Sequence, residues 1–238
     1  MITKATFKNS IKDLLNFNSF ILGVSMGSKN HTGKAFEATV DCINRSGLKQ
    51  GIIDVSDTLR RFTHMAGISE KEARKRALGE GLQWLIDNTE AIKKFRVPVV
   101  VKHWDTWLND PRFTDYLAQF QSAYKESPAL RAAITKDIDN FYHRRFNKAA
   151  DIPNDHDLSI RFYMEELAVM SIQFEDTKAA QLYAGKELNC LKLIRSGEVA
   201  DIPTGTQDSK FYRINVYDAP ANEHKQRPDP DKDELLYG

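Results

Sequence analysis

Ser25 stands in Gly23-Val24-Ser25-Met26-Gly27, the Gly-x-Ser-x-Gly pattern that presents a serine hydroxyl on a tight turn between a strand and a helix. The chemistry it suits is acyl transfer. A helix starting just after the turn is expected to aim its amides and positive dipole end at an oxyanion forming near Ser25. A plain structural turn is the other reading of these five residues. A hydrolase needs, in addition, a later Asp or Glu and a His. His143 and His156 fall in or beside expected helices and His224 in a polar C-terminal stretch, so the sequence offers no natural triad.

Three other constellations carry charge. Lys71, Arg74, Lys75 and Arg76 crowd two turns of one expected helix, where they form either a phosphate-binding face or a solvated one balanced by Glu70, Glu72 and Glu80. Arg144, Arg145 and Lys148 form a smaller group at the end of another helix. In Phe162-Tyr163-Met164-Glu165-Glu166-Leu167 the carboxylate of Glu166 either faces a packed interior or is solvated at the helix edge with Glu165. A buried carboxylate is costly unless it meets a cation or is protonated for chemistry.

Several cofactor readings are excluded. Between Gly27 and Gly33 lie five residues where a phosphate loop has four, and Ala35 replaces its metal-binding hydroxyl. His31-Thr32-Gly33-Lys34 is not the His-x-Gly-His signature of ATP-using class I aminoacyl-tRNA synthetases. Cys42 and Cys190 are isolated, with no zinc-ligand spacing, and read as free thiols. No metal or cofactor is expected.

The elements that must position these residues begin with a buried-looking strand at 18–24, a helix through Phe36, Val40 and Ile43 ending near Gly47, and a second strand at 51–57. That order predicts a parallel βαβ unit with a right-handed crossover. Ser69-Glu70-Lys71-Glu72 is a capping box opening a helix to about Phe95, its middle weakened by Gly79 and Gly81. A strand at 97–101 is entered through Pro98. Helices follow near 110–125, 128–147 and 155–174, then a strand at 181–183, a short helix at 186–196 and a strand from Phe211 to Tyr217, with Tyr212, Ile214 and Val216 on one face.

The 238 residues carry 34 Lys+Arg against 33 Asp+Glu, a net charge of +1, and 41% are hydrophobic. Such a chain can bury a core and is not a disordered polyelectrolyte. Residues 218–238 are polar and Pro-broken and are expected to be a flexible acidic tail following one domain over 1–217. The tail's net −3 leaves +4 on the preceding residues, enough for a transient nucleic-acid substrate. There is no secretory signal pattern and no run of about 18 apolar residues for a membrane span, so a cytoplasmic protein is expected.

Over residues 18–199 the order and spacing of these segments resemble the tRNA-dependent cyclodipeptide synthases. Ile21 to Gly27 is similar to that family's first strand and nucleophile turn, Ile52 to Thr58 to its second strand, and Ser69 to Arg74 to the start of its basic helix. Glu166 and Tyr183 are similar to its acid/base and substrate-holding positions. Phe162 stands where the family usually has Tyr, with Tyr163 one residue later. Ser28 fits the subfamily that lacks Asn three residues after the nucleophile, although Ala184 replaces the Pro usual there after the strand tyrosine.

The resemblance implies a Rossmann-like parallel sheet flanked by helices, similar to the catalytic domain of class I aminoacyl-tRNA synthetases. It implies aminoacyl-tRNAs as substrates and no ATP, because the aminoacyl ester is already activated. Ser25 is then the acyl acceptor. Glu166 holds the α-ammonium and relays protons when the amine of a second aminoacyl-tRNA attacks, leading to a dipeptidyl-enzyme. Tyr183, with Tyr163, orients the group that closes to a diketopiperazine, and Lys71, Arg74, Lys75 and Arg76 dock tRNA phosphates. Gly23, Ser28 and Phe162 complete the substrate contacts, and Ile21 and Val169 are expected to give the pocket an apolar lining. A serine esterase and a non-catalytic tRNA-binding module are the alternative readings.

Overall fold

In a computed structural model, which describes residues 2–8, 11–65, 67–145 and 156–219, a six-stranded sheet runs in the order β1-β6-β5-β2-β3-β4. The strands are β1 (Ile2–Phe7), β2 (Ser19–Val24), β3 (Gln50–Val55), β4 (Val99–His103), β5 (Ala180–Tyr183) and β6 (Phe211–Ala219). All neighbouring pairs are parallel except β1 with β6. The chain builds outward from β2 through β3 to β4, then crosses back to lay β5 on the other side of β2. The strand order therefore reverses between β2 and β5, where open α/β sheets hold their ligands beyond the carboxyl ends of the strands. Ser25 and Tyr183 are at those ends.

The helices are α1 (Ile11–Leu14), α2 (Gly33–Asn44), α3 (Arg61–His64), α4 (Glu70–Ile92), α5 (Asp105–Leu108), α6 (Phe113–Glu126), α7 (Pro128–Arg145), α8 (His156–Thr177), α9 (Asn189–Arg195) and α10 (Thr204–Asp208). Strand alternation assigns β2 a different neighbour on each face. Phe20, Leu22 and Val24 pack in one core with Phe36, Val40 and Ile43 of α2 and Trp84 of α4. Ile21 and Gly23 face the opposite side, toward α8. A second core joins α6, α7, α8 and α9, and a third gathers Leu59, Phe62, Trp104 and Trp107 around Val169 and Ile172 of α8.

Local chemistry sets the helix ends. The Ser69 side chain accepts from the Glu72 amide at 3.2 Å, the expected cap of α4. Pro128 occupies the first turn of α7, where its missing N–H costs nothing, and the Ser127 hydroxyl accepts from the Leu130 amide at 3.2 Å. The strand β1 was not expected. Only Ala5 is buried on it, so it shows little alternation, and its six-residue pairing with β6 holds it. The helix α10 was likewise not expected. Asp218 and Ala219 finish β6, and the rest of the expected tail lies outside the described residues, as do Lys148 and His224; of Arg144 and Arg145 only the backbone is described.

The glycine pair of α4 divides by environment. A Cβ on Gly81 meets Asp57 Cβ at 2.5 Å and Oδ2 at 2.8 Å, whereas one on Gly79 meets nothing within 4 Å. Gly81 thus lets α4 lie directly on the buried Asp57, which accepts from the Thr58 and Trp104 amides and bonds His103 Nδ1 at 2.6 Å. We expect Gly81→Ala to lose about 1–3 kcal/mol of stability through overpacking. Gly79→Ala should gain about 0.5–1 kcal/mol from helix propensity. Urea unfolding of the two variants checks both signs.

Candidate active site

Parallel pairing places Gly23 of β2 opposite both Asp54 of β3 and Tyr183 of β5. The chain leaves β2 at Ser25, whose Oγ lies 2.9 Å from the Tyr183 hydroxyl. Beneath this pair is a cavity of about 110 Å³ between the sheet and α8. Ile21, Gly23, Asp54 and Gln181 come to it from the strands, and Glu166, Met170 and Gln173 from one face of α8, at helical spacing. Lys186 stands exposed at its rim.

The turn carrying Ser25 is not the strained elbow of a hydrolase. Among the described non-glycine residues only Lys178 and Asp201 have positive φ, so Ser25 adopts an ordinary backbone conformation. The helix α2 starts only at Gly33, after a 3₁₀ turn at Lys29–His31, and the Gly33 amide is spent on Asn88 Oδ1 at 3.1 Å. The Ser25 amide donates to His31 Nδ1 at 2.8 Å. The expected dipole-aimed oxyanion site is therefore corrected: the intervening turn carries the helix start away, and a side chain takes the serine amide.

His31 is the residue the sequence concealed. It is buried, packs edge-to-face on Tyr183 at 4.9 Å between ring centroids, and receives the Trp84 indole N–H on its carbonyl at 2.6 Å. Burial lowers its pKa to about 4, so the ring is neutral at physiological pH. With Nδ1 accepting from a backbone amide, it positions the turn and does not serve as a base for Oγ. Beyond Ser25, Gly27 takes φ +78° and Arg60 donates to the Met26 carbonyl, while Glu80 of α4 holds Arg60 Nε at 2.8 Å. Gly27 is required both for that φ and because a Cβ there would run into the Arg60 guanidinium.

Glu165 and Glu166 part company. Glu165 is buried and takes both Arg61 Nη atoms, at 2.8 and 2.5 Å, plus the Trp104 indole at 2.9 Å. Glu166, about 100° further round the helix, opens only to the cavity and has no hydrogen-bond or ion-pair partner among the described residues. Burial, and then the charges of Asp137 and Asp54, raise its pKa to about 8. The sequence presents Asp54 only as part of a strand. Its oxygens accept from Trp107 Nε1 and Gln173 Nε2, both at 2.8 Å, yet burial still raises its pKa to about 6. A carboxylate within the apolar run Ile52-Ile53-Asp54-Val55 was the available signal.

The other expected contacts distribute unevenly. Ile21 and Gly23 line the cavity, but Val169 does not: it lies on the flank of α8 that packs on Leu59, Phe62, Trp104 and Trp107, and Met170 takes its place. Phe162 and Tyr163 pack in the apolar clusters, with Phe162 against Phe62 at 6.4 Å, and neither lines the cavity. Ser28 sits in the turn, its carbonyl accepting from the His31 amide at 3.0 Å, away from the cavity wall. Of the basic group, Arg74 is committed to Asp105 at 2.6 Å and Arg76 approaches Glu80 at 3.6 Å. Lys71 and Lys75 are exposed on one helical face and have no ion-pair partner among the described residues. No cluster of three or more His, Cys, Asp or Glu side chains among the described residues could hold a metal ion, and no described helix is long and apolar enough to cross a membrane.

No protein-family model matches the sequence, and no curated protein does. Among solved structures, the chain is similar to a cyclodipeptide synthase from Fluoribacter dumoffii, 24% identical over 91% of this chain and 98% of that one, with a TM-score of 0.78. It is similar to a cyclodipeptide synthase from Bacillus thermoamylovorans, 11% identical over 92% and 97% of the two chains, with a TM-score of 0.67. It also matches a Mycobacterium tuberculosis protein, 10% identical over 91% and 94%, with a TM-score of 0.65. That structure demonstrates that cyclodipeptide synthetases are related to type I tRNA synthetases. The chain shares this fold, as the Rossmann-like expectation required.

The raised pKa of Glu166 has a consequence for stability. The folded state keeps its proton up to about pH 8, whereas the unfolded chain releases it near 4.5, so the contribution is fully present below 4.5 and is lost as pH rises toward 8. Glu166→Gln removes that loss. Its urea midpoint should exceed that of the unmodified protein at pH 8 and match it at pH 4, in unfolding curves recorded at both.

Proposed function

We propose that the protein is a cyclodipeptide synthase that takes two aminoacyl groups from tRNA through an acyl-enzyme on Ser25. The observation that carries the reading is a serine hydroxyl bonded to Tyr183 at the mouth of a cavity holding the unpaired Glu166, at the reversal point of a sheet that has the fold of solved cyclodipeptide synthases. Such a site suits an ester substrate. The leaving group is an activated ribose oxygen, so neither ATP nor a histidine base is needed.

In the first step Ser25 Oγ attacks the aminoacyl carbonyl, the ester C–O bond breaks, and the serine proton ends on the departing tRNA hydroxyl. The substrate's α-amine enters beside Glu166. An α-amino group titrates near 7.7–8.0 and Glu166 near 8, so a proton moves between them at little cost, which is what a general acid/base requires. Atom balance then corrects the sense of the second step. Attack by the incoming amine on the Ser25 ester would leave the dipeptide on tRNA and free the serine. A dipeptidyl-enzyme forms only if the Ser25-bound amine attacks the second aminoacyl-tRNA. The terminal amine then closes on the Ser25 ester, releasing the diketopiperazine and restoring the hydroxyl, with proximity supplying the advantage. Tyr183 hydrogen-bonds Oγ throughout and is placed to orient each ester.

Exposed Lys71 and Lys75 are the part of the basic helix available to tRNA phosphates, with Arg74 and Arg76 reinforcing the field from their ion pairs. The esterase reading loses its ground with the unstrained turn and the occupied His31. A binding module gives no account of an unpaired carboxyl facing a serine.

Incubation with aminoacyl-tRNA should add one aminoacyl mass to the intact protein, and culture extracts should contain a cyclic dipeptide. Ser25→Ala should abolish both while leaving the circular dichroism spectrum unchanged. Acylation of Ser25→Ala would assign the nucleophile elsewhere. Replacing Lys71 and Lys75 together with Ala should weaken tRNA binding and reduce the log–log salt slope by about 2, measured by filter binding across salt concentrations.

A further inference from the structure

The mechanism above uses Ser25, Glu166 and Tyr183 and gives no task to a buried, unpaired polar group of the cavity wall. Gln181 lies on β5 two residues before Tyr183, paired with Ile21 of β2 on one side and Phe211 of β6 on the other. It is 6% exposed, and neither Oε1 nor Nε2 has a hydrogen-bond partner among the described residues. Buried side-chain amides are nearly always paired, so a site that holds one unpaired in a cavity wall calls for an explanation. The remaining polar groups of the floor do not provide one, because both oxygens of Asp54 are taken by Trp107 and Gln173.

Resting on the reading of Ser25 as acyl acceptor, we infer that the acyl group it receives carries a carboxamide side chain, and that Gln181 selects it. The placement follows from the strands. Residues 181 and 183 point to the same face, their backbones about 6.6 Å apart along the strand, and both line the cavity with Ser25. Between them Gly23 has no side chain, and a Cβ there would already touch the Tyr183 ring at 3.4 Å. An acyl group bound at Ser25 therefore sends its side chain past Gly23 toward Gln181.

Charge and hydrogen-bond count narrow the class. Gln181 offers one acceptor and one donor group to the cavity, whichever way the amide is turned. A carboxylate satisfies only the donor and, although Lys186 stands at the rim, meets the charge of Asp54 on the floor. An ammonium or guanidinium satisfies only the acceptor. A serine or threonine hydroxyl is too short for the reach. A carboxamide answers both groups in a paired arrangement, and the cavity of about 110 Å³, small beside ligand pockets of about 300–1,000 Å³, holds one compact side chain. An apolar acyl side chain displaces water from Gln181 without replacing its hydrogen bonds, which is the condition under which polar sites discriminate strongly.

The test is single-turnover acylation of the full chain, followed by intact mass, with glutaminyl-, asparaginyl-, glutamyl-, lysyl-, leucyl- and methionyl-tRNA supplied separately. Glutaminyl- or asparaginyl-tRNA should acylate Ser25 about 10²-fold faster than leucyl- and methionyl-tRNA, which match them in size. Gln181→Leu should reverse that order while acylation itself continues, which also reports that the variant is folded. Acylation of the unmodified protein by leucyl-, methionyl-, glutamyl- or lysyl-tRNA as fast as by the amides overturns the inference and leaves the acyl-enzyme intact. Acylation by none of the six overturns the inference, and incubation with the full set of aminoacyl-tRNAs then separates the two failures: a mass gain keeps Ser25 as acceptor, and no gain removes that reading as well.

Discussion

The buried ion pair between Arg61 and Glu165 sets the rotation of α8, and the site follows from that rotation. Two adjacent carboxylates cannot both be left unpaired inside a protein. Arg61 and the Trp104 indole together satisfy Glu165, and although burial by itself lowers the Arg61 pKa, Glu165 and Glu70 hold it above its ordinary value. With Glu165 anchored, the next residue is turned into the cavity. Removing one member of such a pair costs about 3–5 kcal/mol, because the other is left charged and buried. The same anchor puts Met170 and Gln173 beside Glu166 and turns Val169 away, into the cluster of Leu59, Phe62, Trp104 and Trp107.

The opposite wall is governed by the sheet. A parallel strand is hydrogen-bonded on both edges and covered on both faces, so a residue on it is assigned a face by parity alone. On β2 the even residues belong to the core with α2 and α4 and the odd ones to the cavity. The crossover that returns the chain to lay β5 beside β2 brings Tyr183 to Ser25 across 158 residues of sequence. The turn itself is held from α4 and the segment before it, through Trp84 on the His31 carbonyl, Arg60 on the Met26 carbonyl, and Glu80 on Arg60. A serine placed this way needs no strained backbone. Among the described residues no histidine is placed as its base, which agrees with the proposed ester substrate.

Much of this was legible beforehand. The strands β2, β3, β5 and β6 and the helices α2, α4, α7 and α8 show themselves in apolar periodicity and caps, which are local. Ser25 and Glu166 stand out because each breaks or ends an apolar segment, whereas only the family resemblance singles out Tyr183. The two residues that give the site its detail were missed for related reasons. His31 is a lone histidine in a polar loop, indistinguishable by sequence from a solvated one. Gln181 sits in a four-residue strand, and nothing in Ala-Gln-Leu-Tyr tells that its amide lacks a partner. The strand β1 escaped because it carries one buried residue and owes its place to a partner about 210 residues away.

The sequence by itself determined the order of the main elements from β2 to β6, the parallel βαβ start, the residue types of the proposed nucleophile and acid, and the lack of a phosphate loop, since each depends on neighbours within a turn or a strand. Only the tertiary structure decided which carboxylate is paired, which basic residues remain open to solvent, where α2 begins relative to Ser25, and which buried amide of the cavity wall is left without a partner. These outcomes depend on desolvation and on partners distant in sequence. A carboxyl near pH 8 and an amide without a hydrogen bond arise from what surrounds a residue, and that is settled when the sheet and α8 close on each other.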